Sequence, residues 1–561
     1  MQVNIYNNIS FVLKKIIGRV KKMKKIIALI VLLAISLTMI SGCGGTTKTS
    51  TSKAITASIG AEPKTLDPSL NNSLDGGTYI NCAFEGLTTY DKNSKVVAGT
   101  ADKWEVNADG TVYTFHIRSD AKWSDGKDVT AKDFVYSWQR SINPKTAADY
   151  AYYLYFVKNG EAINGGNADV NTLGVKALDD KTLEVTLEAA CPFFTEIVAF
   201  PTLVPLREDI VSANSEKWSL DPKTYIGNGP YVLKSWEHDS KLLFEKNDNY
   251  WGKNDMVAEK IEWFLMNDPN AMLGAFKNGQ ILLTNSIPTE EYEAEKAAGN
   301  LQILPMLGTY YIDLVNTKKP FDNAKVRRAV SLAIDRNYIV EKVTKGGQLP
   351  ASGYVPYGIT DVSLSPDFRT VGGEFYSVKP EDLDKNITEA KALLAEGGYP
   401  DGKGFPKVTF GVNTGSNHEI IAEAIQQMLK TNLGIEVEIQ AQEWNVFQQS
   451  RKDSVFNINR NGWIGDYMDP STFLDMFTTN NGQNNSKYSN PNYDKAIKAA
   501  RTETNAAKRI QLFHDAEKIL MDDMGIVPIY FYTNPLEISK NLQDYVVTPL
   551  GFIYLRWSSY K

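Results

Sequence analysis

Apolar and polar residues alternate in a way that predicts a strand–helix–strand unit in the C-terminal half of the chain. Apolar side chains occupy every second position over Val408–Val412 and again over Ile435–Ile439, as expected of half-buried strands. Between them, His418–Leu433 carries apolar residues at positions 421, 425 and 428, which share one helical face, and Gly434 follows where a helix C-cap belongs. The pattern predicts two parallel strands joined by a right-handed crossover through the helix.

Strand-like and helix-like segments are interspersed along the rest of the chain, which indicates the α/β fold class. One of them is a helix over roughly Asn386–Glu396, which ends at Gly397. Ligands of strand–helix–strand units gather at the carboxyl ends of the strands, near the helix N-terminus. His418 stands at that end of the unit described above.

The length of 561 residues favours two or three domains over a single core. Hydrophobic and charged contents of 43% and 22% are typical of a globular protein. The formal net charge is -6 even though residues 1–42 hold seven basic and no acidic residues, so the remainder is more acidic still. Phosphate binding needs a basic surface, and nucleic acid is therefore excluded as the expected partner.

The N-terminus predicts a lipoprotein signal peptide over residues 1–42. Four lysines precede the apolar run Ile26–Ile40, which is too short for a comfortable membrane span. Small residues then lead to Cys43, as in the lipobox of bacterial lipoproteins, and translation starts at either Met1 or Met23. A chance cysteine after an ordinary signal peptide is the alternative. Residues 43–53 are polar and are expected to be the tether of a protein anchored on the extracytoplasmic face of a bacterial membrane.

Cysteine and histidine usage provides no visible catalytic or metal-binding machinery. The chain has 3 Cys and 4 His residues, and none of them has the spacing of a zinc site. Nucleophile-elbow, P-loop and dinucleotide-binding motifs are also missing from the sequence. We therefore expect a binding protein without cofactor or metal rather than an enzyme. Cys82 and Cys191 are either a disulfide or two buried free thiols.

Six motifs in order resemble one family, the oligopeptide-binding proteins of ABC importers, which are family 5 of the extracellular solute-binding proteins. The similarity runs from about Ile55 to the C-terminus. The motifs are Ala61–Pro68, Phe84–Leu87, Ala121–Arg140, Gly227–Tyr231 with Asn247–Trp251 behind it, Lys325–Arg336 and Gly462–Leu474.

The resemblance implies a periplasmic-binding-protein-like two-lobed clamp of type II, cluster C, with an additional inserted domain. Lobe I would comprise residues 54–85, 207–307 and 534–561. The inserted domain II would occupy residues 86–206, and lobe III residues 308–533. It also implies a monomer that closes on short peptides and delivers them to ABC permease subunits in the membrane.

The same resemblance assigns roles to residues at one end of the predicted groove. Asp466 matches the family aspartate that binds the peptide N-terminal ammonium, although a turn-capping aspartate is the alternative. The strand residues Gly462, Trp463 and Ile464 match the segment that pairs with the peptide backbone, and a core strand is the alternative.

Further matches concern side-chain pockets and the peptide carboxylate. Trp444, Trp463 and Tyr150 match residues of the side-chain pockets, while Arg460, Arg451 and His418 match residues that meet a carboxylate or acidic side chains. Thr344 stands where the family has a cleft lysine, which leaves carboxylate recognition and peptide length open. Dipeptides, murein peptides, nickel chelates and a role as a surface receptor for signal peptides remain alternatives.

Overall fold

Strands in the computed structural model form where the sequence alternates, and most of them join one sheet. The model describes residues 54–362, 367–414 and 417–561; the predicted signal peptide, the tether and Cys43 lie outside them. The strands of the described residues are β1 (Ile55–Ser58), β2 (Thr88–Tyr90), β3 (Val96–Ala98), β4 (Ala101–Val106), β5 (Val112–Ile117), β6 (Val175–Ala177), β7 (Thr182–Thr186), β8 (Tyr231–Glu237), β9 (Lys241–Lys246), β10 (Lys260–Phe264), β11 (Leu283–Thr284), β12 (Leu301–Leu314), β13 (Leu349–Pro350), β14 (Val408–Asn413), β15 (Val437–Gln442), β16 (Ile458–Ile464), β17 (Val527–Ile538), β18 (Leu542–Gln543), β19 (Val546–Val547), β20 (Ile553–Tyr554) and β21 (Ser559–Tyr560).

The α-helices lie between these strands, as an α/β fold requires. Those in the described part of the chain are α1 (Leu74–Ala83), α2 (Ala131–Ile142), α3 (Gly160–Asn164), α4 (Phe194–Ile197), α5 (Glu208–Asn214), α6 (Pro269–Lys277), α7 (Tyr292–Ala298), α8 (Ala324–Leu332), α9 (Arg336–Tyr338), α10 (Phe368–Gly372), α11 (Leu383–Glu396), α12 (His418–Leu433), α13 (Trp444–Lys452), α14 (Ser471–Leu474), α15 (Pro491–Thr502) and α16 (Ala506–Asp522). Within these described helices, none combines the length and the apolar character needed to cross a membrane.

The main sheet has eleven strands and mixed direction. Its order is β15-β14-β16-β12-β17-β11-β1-β10-β9-β8, and β13 pairs with β17 outside this path. The long strands β12 and β17 pair antiparallel over most of their length. The predicted boundaries after residues 307 and 533 fall inside these two strands. The sheet is thus continuous across both boundaries, and the division into lobes I and III stays a prediction.

A separate four-stranded sheet, in the order β4-β5-β7-β6, forms entirely within the predicted inserted domain. Strand β5 shows why: its burial alternates along Val112–Ile117, with Tyr113, Phe115 and Ile117 facing the core. Tyr113 and Phe115 pack on Phe194 of α4, with ring centroids 5.0 and 6.4 Å apart. This sheet is the local core of segment 86–206.

The strand–helix–strand prediction is confirmed. Strand β14 is parallel to β15, and α12 begins at His418 and ends at Leu433, where Gly434 adopts the left-handed conformation at φ 70°. Ile421, Ile425 and Leu429 form its buried face, whereas Met428 is only partly buried. The second predicted helix is α11, which begins three residues earlier than expected.

The two described cysteines are buried free thiols, which resolves the question that the sequence left open. Burial raises the pKa of Cys82 to about 12, and it also raises the pKa of Cys191 well above its usual value. Both thiols therefore stay protonated at neutral pH and act as small apolar core residues.

Candidate ligand-binding site

Strand β16 has one edge that is only partly paired. On one side it pairs with β12 over its full length, from Leu314↔Ile458 to Gly308↔Ile464. On the other side, pairing with β14 covers only Ile458 and Asn459. Among the described residues, the segment 460–464 therefore has no strand partner on its β14 side. An edge of this kind can accept an added extended chain.

The main chain at positions 462 and 464 points toward this unpaired edge. Beyond β16, the N–H of Gly465 donates to the Leu307 carbonyl oxygen at 2.7 Å, and hydrogen-bonded positions alternate along an antiparallel pair. Residue 463 thus faces β12, and residues 462 and 464 face away from it. The N–H of Gly462 accordingly donates to its neighbour Asn461 Oδ1 at 2.9 Å rather than to β12.

Gly462 has no side chain because Tyr532 lies against it. A Cβ atom at this position would come within 2.3 Å of the Tyr532 Oη atom. Tyr532 belongs to a group of rings with Tyr310 and Tyr530, whose centroids are 4.8 to 6.3 Å apart. These rings form a largely buried aromatic cluster against Gly462.

Asp466 follows β16 directly and is held by hydroxyl groups. Its Oδ2 atom accepts a hydrogen bond from Tyr152 Oη at 2.6 Å, and its carbonyl oxygen accepts one from Tyr153 Oη at 3.1 Å. Its N–H donates to Thr472 Oγ1 at 2.9 Å. Burial raises the pKa of the Asp466 carboxyl to about 7, although the hydroxyls of Tyr152 and Tyr153 act in the opposite direction. The carboxylate makes no turn-capping hydrogen bond among the described contacts.

Tyr150 lies in the same aromatic cluster as the two tyrosines that contact Asp466. Its ring centroid is 5.8 Å from Tyr152, 5.7 Å from Tyr153 and 5.1 Å from Phe200. Tyr153 also stacks on Phe200 at 4.1 Å. The cluster comes from segment 86–206, so the ammonium-binding candidate Asp466 contacts a part of the chain that is more than 300 residues away in sequence.

The loop after Asp466 makes further contacts to segment 86–206. Tyr467 stacks on Phe193 with ring centroids 4.8 Å apart, and the N–H of Met468 donates to Glu196 Oε2 at 2.8 Å. Asp469 forms a bidentate ion pair with Arg509, with N–O distances of 2.7 and 2.9 Å. This loop is thus fixed on both sides.

Arg460, Trp444 and His418 come together at the carboxyl end of β14. Arg460 Nε donates to Asn413 Oδ1 at 2.6 Å, and its guanidinium lies 5.2 Å from the Trp444 ring centroid. Trp444 is 41% exposed, so its ring is not part of the core. His418 stacks on Tyr310 at 5.6 Å.

His418 is neutral in this environment. Burial, together with the nearby Arg460, lowers the pKa of His418 to about 3. Its Nδ1 atom is buried without a hydrogen-bond partner in the described structure. His418 can therefore meet a carboxylate as a hydrogen-bond donor but not as a cation.

Arg451 lies near Arg460, with the two guanidiniums 5.5 and 5.7 Å from the Phe447 ring centroid, but it has hydrogen-bond partners of its own. Its guanidinium donates to Asn461 Oδ1 at 2.6 Å and to Gln448 Oε1 at 2.5 Å, and Asn461 in turn donates to Asp313 Oδ2 at 2.8 Å. Side chains alternate along a strand. Arg460 and the Arg451-bound Asn461 thus point to opposite faces of β16, although both guanidiniums lie beside Phe447.

Trp463 faces the same side of β16 as Asn461. Its Nε1 atom donates to Thr472 Oγ1 at 3.4 Å, the hydroxyl that also accepts the N–H of Asp466. Trp463 is partly buried and packs against the main core. It thus supports the loop that carries Asp466.

Sequence reasoning missed Tyr152 and Tyr153, although both contact Asp466. A usable signal was present, because four tyrosines occur within Tyr150–Phe156. Aromatic residues are usually part of the core, and their number alone does not identify a site. Thr344, the departure from the family lysine, is buried and donates to Gln348 Oε1 at 2.9 Å.

Comparison with known proteins gives the family. Residues 95–485 match the model described as bacterial extracellular solute-binding proteins, family 5 middle. The chain belongs to this family. The resemblance inferred from the motifs is confirmed, as is the periplasmic-binding-protein-like α/β fold. Members are non-enzymatic binding components of transporters, so the prediction that the chain is not an enzyme is confirmed. The family also supports an extracytoplasmic location.

Individual relatives cover nearly the whole chain. The oligopeptide-binding protein OppA of Bacillus subtilis is 35% identical over 96% of this chain and 100% of its own length. The structure of the Escherichia coli murein tripeptide binding protein MppA has a TM-score of 0.81 at 35% identity, covering 91% of this chain and 99% of that one. The structure of Haemophilus influenzae OppA in complex with RPPGFSPFR has a TM-score of 0.80 at 33% identity, with the same coverage.

Proposed function

We propose that the chain captures short peptides outside the cytoplasm and delivers them to the permease of an ABC importer. The observation that carries this proposal is the position of Asp466, a partly buried carboxylate at the end of a strand whose edge is free to pair. A peptide has an ammonium group at the end of an extended backbone, so the ammonium can reach Asp466 while the backbone lies along the strand edge. The names of the relatives, two OppA proteins and a murein tripeptide binding protein, support the peptide class.

In this proposal the ligand ammonium forms an ion pair with Asp466. A buried charge is unfavourable without a partner, and an incoming ammonium therefore gains affinity from the desolvated carboxylate. The main chain of Gly462 and Ile464 pairs with the peptide backbone, which provides affinity without selecting a sequence. The surrounding tyrosines and tryptophans contact side chains of varied shape.

The ligand carboxylate, at the other end of the peptide, contacts Arg460. His418 acts as a neutral hydrogen-bond donor, and the exposed ring of Trp444 contacts a ligand side chain. Arg451 would contribute only by releasing Asn461 and Gln448. Thr344 donates to Gln348 and supplies no positive charge at its position. We therefore propose Arg460 as the principal carboxylate-binding residue.

Anchoring completes the proposal. The signal peptide over residues 1–42 would be removed, and Cys43 would carry the lipid that holds the protein beside the permease. A Cys43→Ser variant is expected to move from the membrane fraction to the medium. Retention of the variant in the membrane fraction would contradict lipid anchoring, while leaving peptide binding untouched.

The direct test is calorimetry of the purified binding domain with a free tripeptide and its N-acetylated form. Acetylation removes the positive charge but keeps the backbone, so we expect it to weaken binding by 100-fold or more, which is about 3 kcal/mol. The C-amidated tripeptide is the matched control and tests Arg460 separately. Equal affinities for the free and acetylated peptides would reject Asp466 as the ammonium site. Mass spectrometry of co-purifying ligands distinguishes peptides from metal chelates.

A further inference from the structure

Tyr152 reaches the carboxylate of Asp466 from a distant part of the chain. It lies in the short helix Ala151–Phe156 of segment 86–206, whereas Asp466 follows β16. The Tyr152 Oη–Asp466 Oδ2 distance of 2.6 Å is typical of a hydroxyl donating to a charged carboxylate. Tyr153 holds the main-chain oxygen of the same aspartate. Two consecutive tyrosines thus bind the side chain and the backbone of one residue.

The groups that face this carboxylate are hydroxyls and acids. Tyr150, Tyr152 and Tyr153 lie on one side, Tyr467, Asp469 and Thr472 belong to its own loop and α14, and Glu196 approaches from α4. Arg509 of α16, which contacts this loop, is bound to Asp469. Within the described ranges, no lysine, arginine or histidine forms an ion pair with Asp466. Hydroxyl donors are therefore its main source of stabilisation.

A hydroxyl donor has a definite effect on such a carboxylate. Burial favours the neutral acid, whereas a hydrogen bond donated to the carboxylate favours the charged form. For Asp466 these two influences oppose each other, with burial the larger. Only the charged form can make an ion pair with a ligand ammonium. Removal of the Tyr152 hydroxyl should thus reduce the fraction of protein that is ready to bind.

We propose that Tyr152 is a positioning residue that shifts Asp466 toward its ionised form and orients the carboxylate for the ligand ammonium. It can do so only while the helix Ala151–Phe156 lies against the loop after β16. The contact between these two parts of the chain then sets the charge of the binding site, and peptide affinity depends on pH near neutrality. This inference rests on the proposed function and deepens it.

The test compares the wild-type protein with Tyr152→Phe by calorimetry with a free tripeptide between pH 5.5 and 9. Titration of the ligand amine cancels in the ratio of the two affinities. We expect a ratio near one at pH 9 and a several-fold deficit of the variant at pH 6, because the variant carboxyl is more often protonated there. A ratio that does not change with pH would overturn the proposal.

The matched control is Tyr155→Phe, the same change in the same short helix. Tyr155 donates to Asn164 Oδ1 at 2.8 Å, and no described hydrogen bond links it to Asp466. Its affinity ratio should stay near one at every pH.

A second measurement counts the protons released on binding. At pH 7, in two buffers of different ionisation enthalpy, the Tyr152→Phe variant should release more protons per peptide than the wild-type protein, because its carboxyl is more often protonated before binding. Equal proton release by the two proteins would contradict the proposal. Absence of peptide binding by the wild-type protein at any pH would instead reject the proposed function.

Discussion

Two aspartates on one loop, three residues apart, have opposite environments. Asp469 is 6% exposed and forms a two-pronged ion pair with Arg509, which is itself 8% exposed. Asp466 is partly buried, yet its carboxylate contacts a tyrosine hydroxyl and no described cation. Burial raises the pKa of Asp466 to about 7. The negative charge of Asp469 is instead paired with the guanidinium of Arg509.

The difference separates a structural charge from a functional one. A buried ion pair within the protein fixes a loop but has no charge left for a ligand. A buried carboxylate that is only hydrogen-bonded lowers the stability of the folded protein. An ion pair with a ligand cation offsets this loss. Strongly shifted acids of this kind cluster at functional sites. Removing the Asp466 charge should therefore weaken ligand binding and stabilise the folded protein. Removing the partner of Asp469 should destabilise the folded protein.

The largest expected effect is on ligand binding. Asp466→Asn should weaken tripeptide binding by about 3–5 kcal/mol, because the ligand ammonium loses its ion-pair partner in a desolvated site. The measurement is calorimetry at pH 7.5. Unchanged affinity would mean that the ammonium binds elsewhere.

The next effect is on stability. Arg509→Met should lower the free energy of unfolding by about 3 kcal/mol, since Asp469 is left buried without its partner. Denaturant unfolding measures this change. Lys132→Met is the control, because in its ion pair with Asp180 the two side chains are 74% and 70% exposed, and such a pair should contribute at most about 1 kcal/mol. Equal losses in the two variants would remove the distinction between a buried and an exposed pair.

The smallest expected effect is on the free energy of unfolding, and its sign distinguishes Asp466 from Asp469: removing the Asp466 charge should stabilise the protein. Its folded pKa of about 7 lies above the ordinary value of 3.8, so the folded protein binds the proton more tightly, and stability falls as pH rises from about 4 to 7. The full shift would correspond to about 4 kcal/mol. Because the Asp466 side chain is only partly buried, we expect about half of this, and Asp466→Asn should raise the free energy of unfolding at pH 8 by on the order of 2 kcal/mol. The gain should vanish below pH 4. Lower stability of the variant at pH 8 would contradict a functional, uncompensated charge.

Local patterns predicted much of the fold around the site. The alternation over residues 408–412 and the helical face of His418–Leu433 are short-range features, and both formed with the expected bounds. Gly434 ends the helix because it adopts φ 70° without steric cost. The motif Gly462–Leu474 located the aspartate that follows β16.

Long-range features were not predictable in the same way. Arg451 and Arg460 are nine residues apart and matched the same carboxylate-binding role, yet Arg451 is bonded to Asn461, whose side chain points to the face of β16 opposite to that of Arg460. The strand register decides that outcome, and register depends on pairing with β12. The neutral state of His418 likewise depends on burial and on the approach of Arg460.

By itself, the sequence determined the α/β class, the family, the strand–helix–strand unit and the position of Asp466, because periodicity and motifs are written in neighbouring residues. Only the tertiary structure decided that Tyr152 binds Asp466, that β16 has a partly paired edge and that Arg451 is bonded to Asn461. These properties arise from groups that are far apart along the chain, and their distances are set by how the strands and helices pack.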